Sequence, residues 1–230
     1  MGTLLFDSQG TLVDNYTIAD VLEPHVTGAR MAHAIAYDWR QRQKWYMCYT
    51  TCADYNVPMP ELNEAAFRWA LEEHRVTLSD KVIKEVLDRF QELRAYPDVP
   101  EALRSLKAQG HVVKIIANPA KFMLEGHTKF AGIRQYIDEI VSNSEDVGVY
   151  KPHPKVFQLG LKKAGVPQDQ CLWVTGHYWE IMGAARQGFK TAWTNRALLP
   201  PDRLAGVTPT YTTTTLLELA QRLEKQGGKV

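Results

Sequence analysis

The chain has 230 residues, with 27 Lys plus Arg against 26 Asp plus Glu and a formal charge of +1. That length buries a full core as one large domain or two modest ones, and 45% hydrophobic with 23% charged residues excludes disordered, collagen-like and membrane classes. The near-zero charge removes the usual reason to expect nucleic acid or an anionic membrane as partner, leaving a small-molecule enzyme or a neutral binding module.

The chain opens with a short apolar strand, Thr3-Leu4-Leu5-Phe6, stopped by Asp7 and a turn through Gly10. From about Asn15 to Leu93 the pattern is helical. One helix carries Leu62, Phe67, Ala70 and Leu71 after a Val57-Pro58-Met59-Pro60 loop. Another carries Val82, Val86, Leu87, Phe90 and Leu93 behind an N-cap at Ser79. After Ala95-Tyr96-Pro97, strand and helix alternate. Asp98 stands where it would cap a helix with Pro100 in its first turn, running through Leu103 and Leu106 to Gly110. Strands are expected at 112–116, 137–141, 171–174 and 191–193. Helices are expected around Phe122, from Pro154 toward Gly165, and before Gly188. A last amphipathic helix holds Leu216, Leu217, Ala220 and Leu223, ahead of a Gly-Gly tail expected to fray.

Repeated strand–helix units of this length imply an α/β protein with a Rossmann-like doubly wound parallel sheet. The core domain would comprise residues 1–14 and 94–230. An all-helical cap domain, residues 15–93, would be inserted after the first strand.

Cys48, Cys52 and Cys171 form no paired framework. Cys48 and Cys52 are one helical turn apart, but no further zinc ligands stand nearby, so the three read as buried free thiols of a reducing compartment. Leu4, Leu5 and Phe6 are too few for a signal segment, and Phe6 stands where N-myristoylation wants Ser or Thr. No apolar run approaches the ~20 residues of a membrane span. Cytoplasm is the expected location.

In open parallel sheets the ligand sits at the carboxyl ends of the strands. Those positions hold Asp7, Asn118 after Ala117, Lys151 beyond the third strand, and Thr175-Gly176-His177 followed by Glu180. Each alone has an ordinary reading: a turn cap, a solvated loop lysine, a buried histidine, a first-turn carboxylate matched to the helix dipole. Their arrival at one rim from four separate segments favours a site.

These segments carry a resemblance. Phe6-Asp7-Ser8-Gln9-Gly10-Thr11-Leu12-Val13-Asp14 resembles the first motif of the haloacid dehalogenase superfamily, whose aspartate is the nucleophile. Val149-Tyr150-Lys151-Pro152-His153-Pro154 resembles its lysine motif. Trp39-Arg40-Gln41-Arg42-Gln43 is similar to the cap signature of the L-2-haloacid dehalogenase branch, whose arginine draws off the halide. Gly188 to Arg196 is similar to that branch's final strand region. The resemblance runs from about residue 3 to about 220 and implies catalysis without metal or cofactor, on a small carboxylic acid. It also implies a homodimer, which nothing in the chain itself fixes. Trp39, Trp45, Tyr46, Tyr49 and Tyr55 in the cap read as core, with a pocket wall or dimer face as the other readings.

The residue types fit that chemistry independently. An ordinary Asp has a pKa of ~3.9, so Asp7 would be ionised at neutral pH and able to attack carbon without a base. The resulting ester splits one hard step into two. Lys151 would hold the carboxylate, Thr11 would fold back onto it, and His177 or Glu180 would activate water. Backbone amides of the Ser8-Gln9-Gly10 turn, with Asn118, would bind the substrate carboxylate. The expected substrate contacts are Ser8, Gln9, Arg40, Asn118, Thr175, Phe157 and Trp179.

Departures from the branch cluster at the same place. Ala117 replaces a serine, Phe157 a tyrosine, and Gln9 an aromatic residue, while His177 and Glu180 replace an asparagine and an aspartate. An acid–base pair here would serve ester hydrolysis, or would protonate a leaving group worse than halide, such as the ring nitrogen of azetidine-2-carboxylate. Magnesium-dependent phosphatases of the superfamily need a second aspartate where Gln9 stands and acidic ligands where His177 stands. A phosphatase and a non-catalytic carboxylate-binding protein complete the readings.

Overall fold

The computed structural model describes residues 1–230. Six parallel strands form one sheet: β1 (Thr3–Phe6), β2 (Val112–Ala117), β3 (Glu139–Ser142), β4 (Cys171–Thr175), β5 (Lys190–Thr194) and β6 (Tyr211–Thr213). Their order is β3-β2-β1-β4-β5-β6. The chain steps outward from β1 in both directions, so the order reverses between β1 and β4, where a ligand crevice opens at the strands' carboxyl ends. The helices are α1 (Ala19–Leu22), α2 (Gly28–Cys52), α3 (Met59–Glu73), α4 (Asp80–Arg89), α5 (Val99–Ala108), α6 (Lys121–Phe130), α7 (Asn143–Asp146), α8 (Pro154–Ala164), α9 (Tyr178–Arg186) and α10 (Leu216–Lys225).

Strand alternation sorts the apolar side chains into two layers. Leu4, Phe6, Val113, Ile115, Leu172 and Val174 pack with α5, α6 and α10 on one face. Leu5, Ile116 and Trp173 pack with α8 and α9 on the other. Both faces are therefore covered, as a parallel sheet requires. No helix is long and apolar enough to cross a membrane.

Helices α1 to α4 follow β1 and build a third apolar cluster of their own. Its centre is Trp39 on α2, stacked on Phe67 at 4.2 Å and packed on Phe90 at 4.8 Å. The indole N–H donates to the Asn63 carbonyl at 3.0 Å, so the buried ring leaves no polar atom unpaired. Ala120, Met123 and Tyr150 from the sheet side join this cluster. Tyr150 donates its hydroxyl to the Val57 carbonyl at 2.6 Å, and its N–H goes to Thr51 Oγ1 at 3.1 Å. The helical unit is thus seated on the sheet unit by packing and directed bonds.

Several expectations are corrected. Strand β3 begins two residues later than expected, because the chain through Ile137 is still leaving a 3₁₀ turn. Strand β6 extends the sheet with Tyr-Thr-Thr, a stretch too short and polar to read as a strand. Helix α3 takes in Met59 and Pro60, since proline is tolerated in a first turn. Cys48 and Cys52 are exposed, and only Cys171 is buried. Ser79 caps α4 as expected, donated to by the Val82 N–H. Asp98, in contrast, makes no side-chain cap bond. Its carboxylate accepts from Arg196 Nη1 at 2.5 Å and from the Leu216 N–H at 2.6 Å, tying the start of α5 to the chain just after β5 and to the start of α10.

His127 of α6 is fully buried and bonds through Nε2 to the Phe90 carbonyl at 3.1 Å. Burial pushes its pKa down to about 4. The unfolded chain binds this proton near pH 6.5 and the folded chain only near 4, so this contribution to stability falls as pH drops through that window. Between pH 7 and 4.5 the wild type is expected to lose about 2 kcal/mol more than His127→Gln, measured by urea unfolding. Equal losses would contradict this.

Candidate active site

Asp7 follows β1 directly, and its N–H still donates to Val174 of β4 at 3.0 Å. The chain then turns tightly around one carbonyl: Ser8 O accepts from the Thr11, Leu12 and Val13 N–H groups at 3.2, 2.8 and 3.1 Å. Gly10 has φ +84°, a conformation open to glycine at no steric cost. The Ser8 and Gln9 N–H groups take no part in these bonds and remain as donors at the strand end. Gly176, after β4, meets this turn so closely that a Cβ there would collide with the Gly10 carbonyl. Glycine at 176 allows the β1 and β4 loops to touch, and Thr11 Oγ1 joins them. It accepts from the Gly176 N–H at 2.8 Å and donates to Asp7 Oδ2 at 2.8 Å.

The other Asp7 oxygen belongs to Lys151. Its ammonium is 1% exposed and donates to Asp7 Oδ1 at 2.7 Å, Glu180 Oε1 at 2.8 Å and the Ile116 carbonyl at 3.1 Å. All three protons have acceptors, which is what a buried ammonium requires. Burial pushes the Asp7 carboxyl up, but Lys151 and Thr11 outweigh it and hold it below the usual range. Burial would strip the Lys151 proton, yet Asp7 and Glu180 keep its pKa raised.

Glu180 is sealed off. Oε1 also accepts from the Trp173 indole N–H at 2.6 Å, and Oε2 accepts from the Thr175 hydroxyl at 3.1 Å. Burial pushes its pKa up to about 7 in spite of Lys151. His177 is more open. Its Nε2 donates to the Gln9 carbonyl at 2.9 Å and stands 3.8 Å from Asp7 Oδ2. That donation places the proton on Nε2 and leaves the lone pair on Nδ1. Burial pushes the imidazole down to about 4, so it is neutral at pH 7. Trp179 stacks on it with centroids 5.5 Å apart.

Arg40 reaches this group from α2 across the interface. It is 8% exposed, and no carboxylate lies within ion-pair distance of it. Its Nη1 donates to Gln43 Oε1, and Gln43 Nε2 donates to Asn63 Oδ1 at 2.7 Å, which also accepts from Trp39. Arg40 Nε has no partner. Asp7 is nonetheless close enough to oppose the lowering of its pKa by burial. Asn118 is oriented by its carbonyl, which accepts from Asn143 at 2.9 Å and from the Lys151 N–H at 3.0 Å. Its Nδ2 is directed at the sulfur of Met47 in the cap.

Asp7, Thr11, Lys151, His177, Glu180, Asn118 and Arg40 therefore converge. Two expected substrate contacts are closed off from any substrate. Phe157 is fully enclosed behind the sheet, packed on Trp173 at 4.8 Å, because its place on α8 faces the opposite apolar layer. Thr175 is also fully buried and spends its hydroxyl on Glu180 and the His177 N–H. Ser8 and Gln9 are buried at the turn after Asp7, with Ser8 Oγ and Gln9 Nε2 unpaired. Trp179 lines an open cleft of about 430 Å³ with Lys151, Pro152, Gln41, Trp45 and Met47. Lys44 lines the same cleft, and sequence reasoning missed it. The signal was its spacing of four from Arg40, which puts both on one side of α2.

A sheet of this order, carrying an aspartate directly after β1 and a buried lysine paired with it, fits a class of hydrolases. The family model for haloacid dehalogenase-like hydrolases matches residues 1–188. The (S)-2-haloacid dehalogenase 4A of Burkholderia cepacia is 30% identical over 198 residues, 86% of this chain and 84% of that one. An (S)-2-haloacid dehalogenase of Pseudomonas fluorescens is 31% identical over 219 residues, 95% of each chain. The crystal structure of an L-2-haloacid dehalogenase superimposes with a TM-score of 0.90 at 29% identity, covering 97% of this chain and 99% of that one. The chain belongs to the haloacid dehalogenase-like hydrolases, in the L-2-haloacid dehalogenase branch.

Lys151→Met would leave Asp7 and Glu180 buried side by side without their shared cation. Breaking a buried pair in this way costs about 3–5 kcal/mol. The loss should be largest above pH 7 and shrink as acid protonates the carboxylates, which urea unfolding at pH 5 and 7.5 would measure. A pH-independent loss would contradict it.

Proposed function

We propose that this protein is a hydrolase that displaces a leaving group from the carbon next to a carboxylate, through an ester on Asp7, without a metal. The carrying observation is the pairing of Asp7, ionised and gripped at both oxygens, with a buried guanidinium that has no carboxylate of its own. The identity with (S)-2-haloacid dehalogenases supports halide as the leaving group.

In the first step an Asp7 oxygen forms a C–O bond to the substrate carbon as the carbon–halogen bond breaks, and the halide departs with the bonding pair toward Arg40. Lys151 and Thr11 hold the carboxylate for in-line approach, which is worth most when the attacking atom is already oriented. The substrate carboxylate is received by the free Ser8 and Gln9 N–H groups and Asn118 Nδ2. In the second step water attacks the ester carbonyl carbon of Asp7, the alcohol oxygen leaves with the product, and one proton passes to solvent. His177 Nδ1 is the base in this reading, because the oxygens of Glu180 are already engaged by Lys151, Trp173 and Thr175. Glu180 positions Lys151. Gln9 and His177 stand where magnesium-dependent phosphatases of the superfamily carry acidic residues, which supports a reaction without metal.

Asp7→Asn is expected to abolish chloride release from (S)-2-chloropropionate, while EDTA leaves the wild type unchanged. Repeated turnover in ¹⁸O-water should place label in Asp7, read by peptide mass. His177→Gln, which keeps the donor to Gln9, is expected to slow turnover by about 10²–10⁴-fold with the ester accumulating on Asp7. Full activity in that variant would remove His177 from the mechanism. Ring opening of azetidine-2-carboxylate without chloride release would replace the halide reading with C–N hydrolysis. EDTA-sensitive phosphate ester hydrolysis would overturn both.

A further inference from the structure

Lys44 is the one cation of the cleft that the proposed mechanism leaves unused. It stands one turn after Arg40 on α2 and lines the cleft with Lys151 and Trp179. It makes no hydrogen bond and no ion pair, although other half-buried lysines do so: Lys107 bonds Asp138, and Lys114 bonds Glu139. The charges nearest to it belong to the site. Burial and Arg40 push its ammonium down to about 8 while Asp7 opposes them, and Lys44 in turn helps depress His177.

The site thus sets three cations, Arg40, Lys44 and Lys151, around two carboxylates, Asp7 and Glu180. Lys151 is satisfied by both carboxylates, and Arg40 faces the departing halide. A monoanionic acid would bring one carboxylate, bound at the nucleophile turn, and its alkyl group would lie against an unpaired ammonium. That is an unfavourable neighbour, because an ammonium in an apolar-walled cleft needs an anion or water. The cleft of about 430 Å³ borders the Asp7 group through Lys151 and holds more than a three-carbon acid.

The geometry points to a dicarboxylic substrate, a 2-halo diacid whose distal carboxylate pairs with Lys44. This rests on the dehalogenase reading and names its substrate class. With 2-chlorosuccinate, the C–O bond to Asp7 forms as the C–Cl bond breaks, and hydrolysis yields malate, chloride and one proton.

The test separates binding from turnover. Succinate and glutarate, against butyrate as the monoanion, are titrated into the intact enzyme, following the fluorescence of the cleft tryptophans Trp45 and Trp179. Wild type is expected to bind a diacid about 10–100-fold more tightly than butyrate, a span typical of one hydrogen bond to a charged group. Lys44→Met should erase that preference, and Lys44→Arg should restore most of it. Circular dichroism and urea unfolding verify that the variants fold. In parallel, the kcat/KM ratio of 2-chlorosuccinate to 2-chloropropionate should fall by a similar factor in Lys44→Met. Equal binding of diacid and butyrate, or a preference that survives Lys44→Met, overturns the inference. Absence of chloride release from both substrates, with diacid binding still dependent on Lys44, overturns the dehalogenase reading alone.

Discussion

A single ammonium group organises this molecule's chemistry. Lys151 Nζ has three protons and three acceptors, and each acceptor comes from a different part of the sheet: Asp7 beyond β1, Ile116 within β2, Glu180 in the first turn of α9. Removing a charge from water is expensive unless every proton and lone pair finds a partner. The surrounding geometry meets that condition. Trp173 and Thr175 complete Glu180, Thr11 completes Asp7, and Gly176 lets the two strand-end loops come together.

The helical unit answers to a second condition. Arg40 is buried without a carboxylate, so its charge relies on Gln43, and through it on the Asn63 and Trp39 bonds that brace α2 against α3. The guanidinium is held in readiness by amides rather than neutralised by an acid. A carboxylate partner would cancel the field that an incoming anion needs. Leaving the group half-satisfied costs stability and, in the proposed reaction, would keep the pocket attractive to anions.

Much of this was legible in the sequence, for physical reasons. Parallel strands buried on both faces write themselves as apolar runs, and residues just past such runs must share one rim, so Asp7, Asn118, Lys151 and His177 could be found before any coordinates. What was hidden depends on direction rather than order. Phe157 stands at a motif position, yet the face of α8 it occupies looks away from the cleft. Glu180 reads as a site carboxylate able to activate water, but its full enclosure, the deepest of the site's acids, depends on the packing of α9 and was not legible. Lys44 stands in no motif, and only its spacing from Arg40 hints that it shares a side of α2. Asp98 reads as a cap, but a residue nearly a hundred positions away, Arg196, takes its carboxylate.

Helix α2 leaves one more consequence. In the proposed reaction attack is the business of the sheet, whereas Arg40 and Lys44, on adjacent turns of one helix, would meet the leaving group and the far end of the substrate. In that reading, acceptance of the distal group rests on Lys44, in a stretch of chain separate from Asp7 and Lys151. Exchange of Lys44 alone would then redraw the substrate range while Asp7, Lys151 and Arg40 stayed in place, which gives such a scaffold an easy route to diversify.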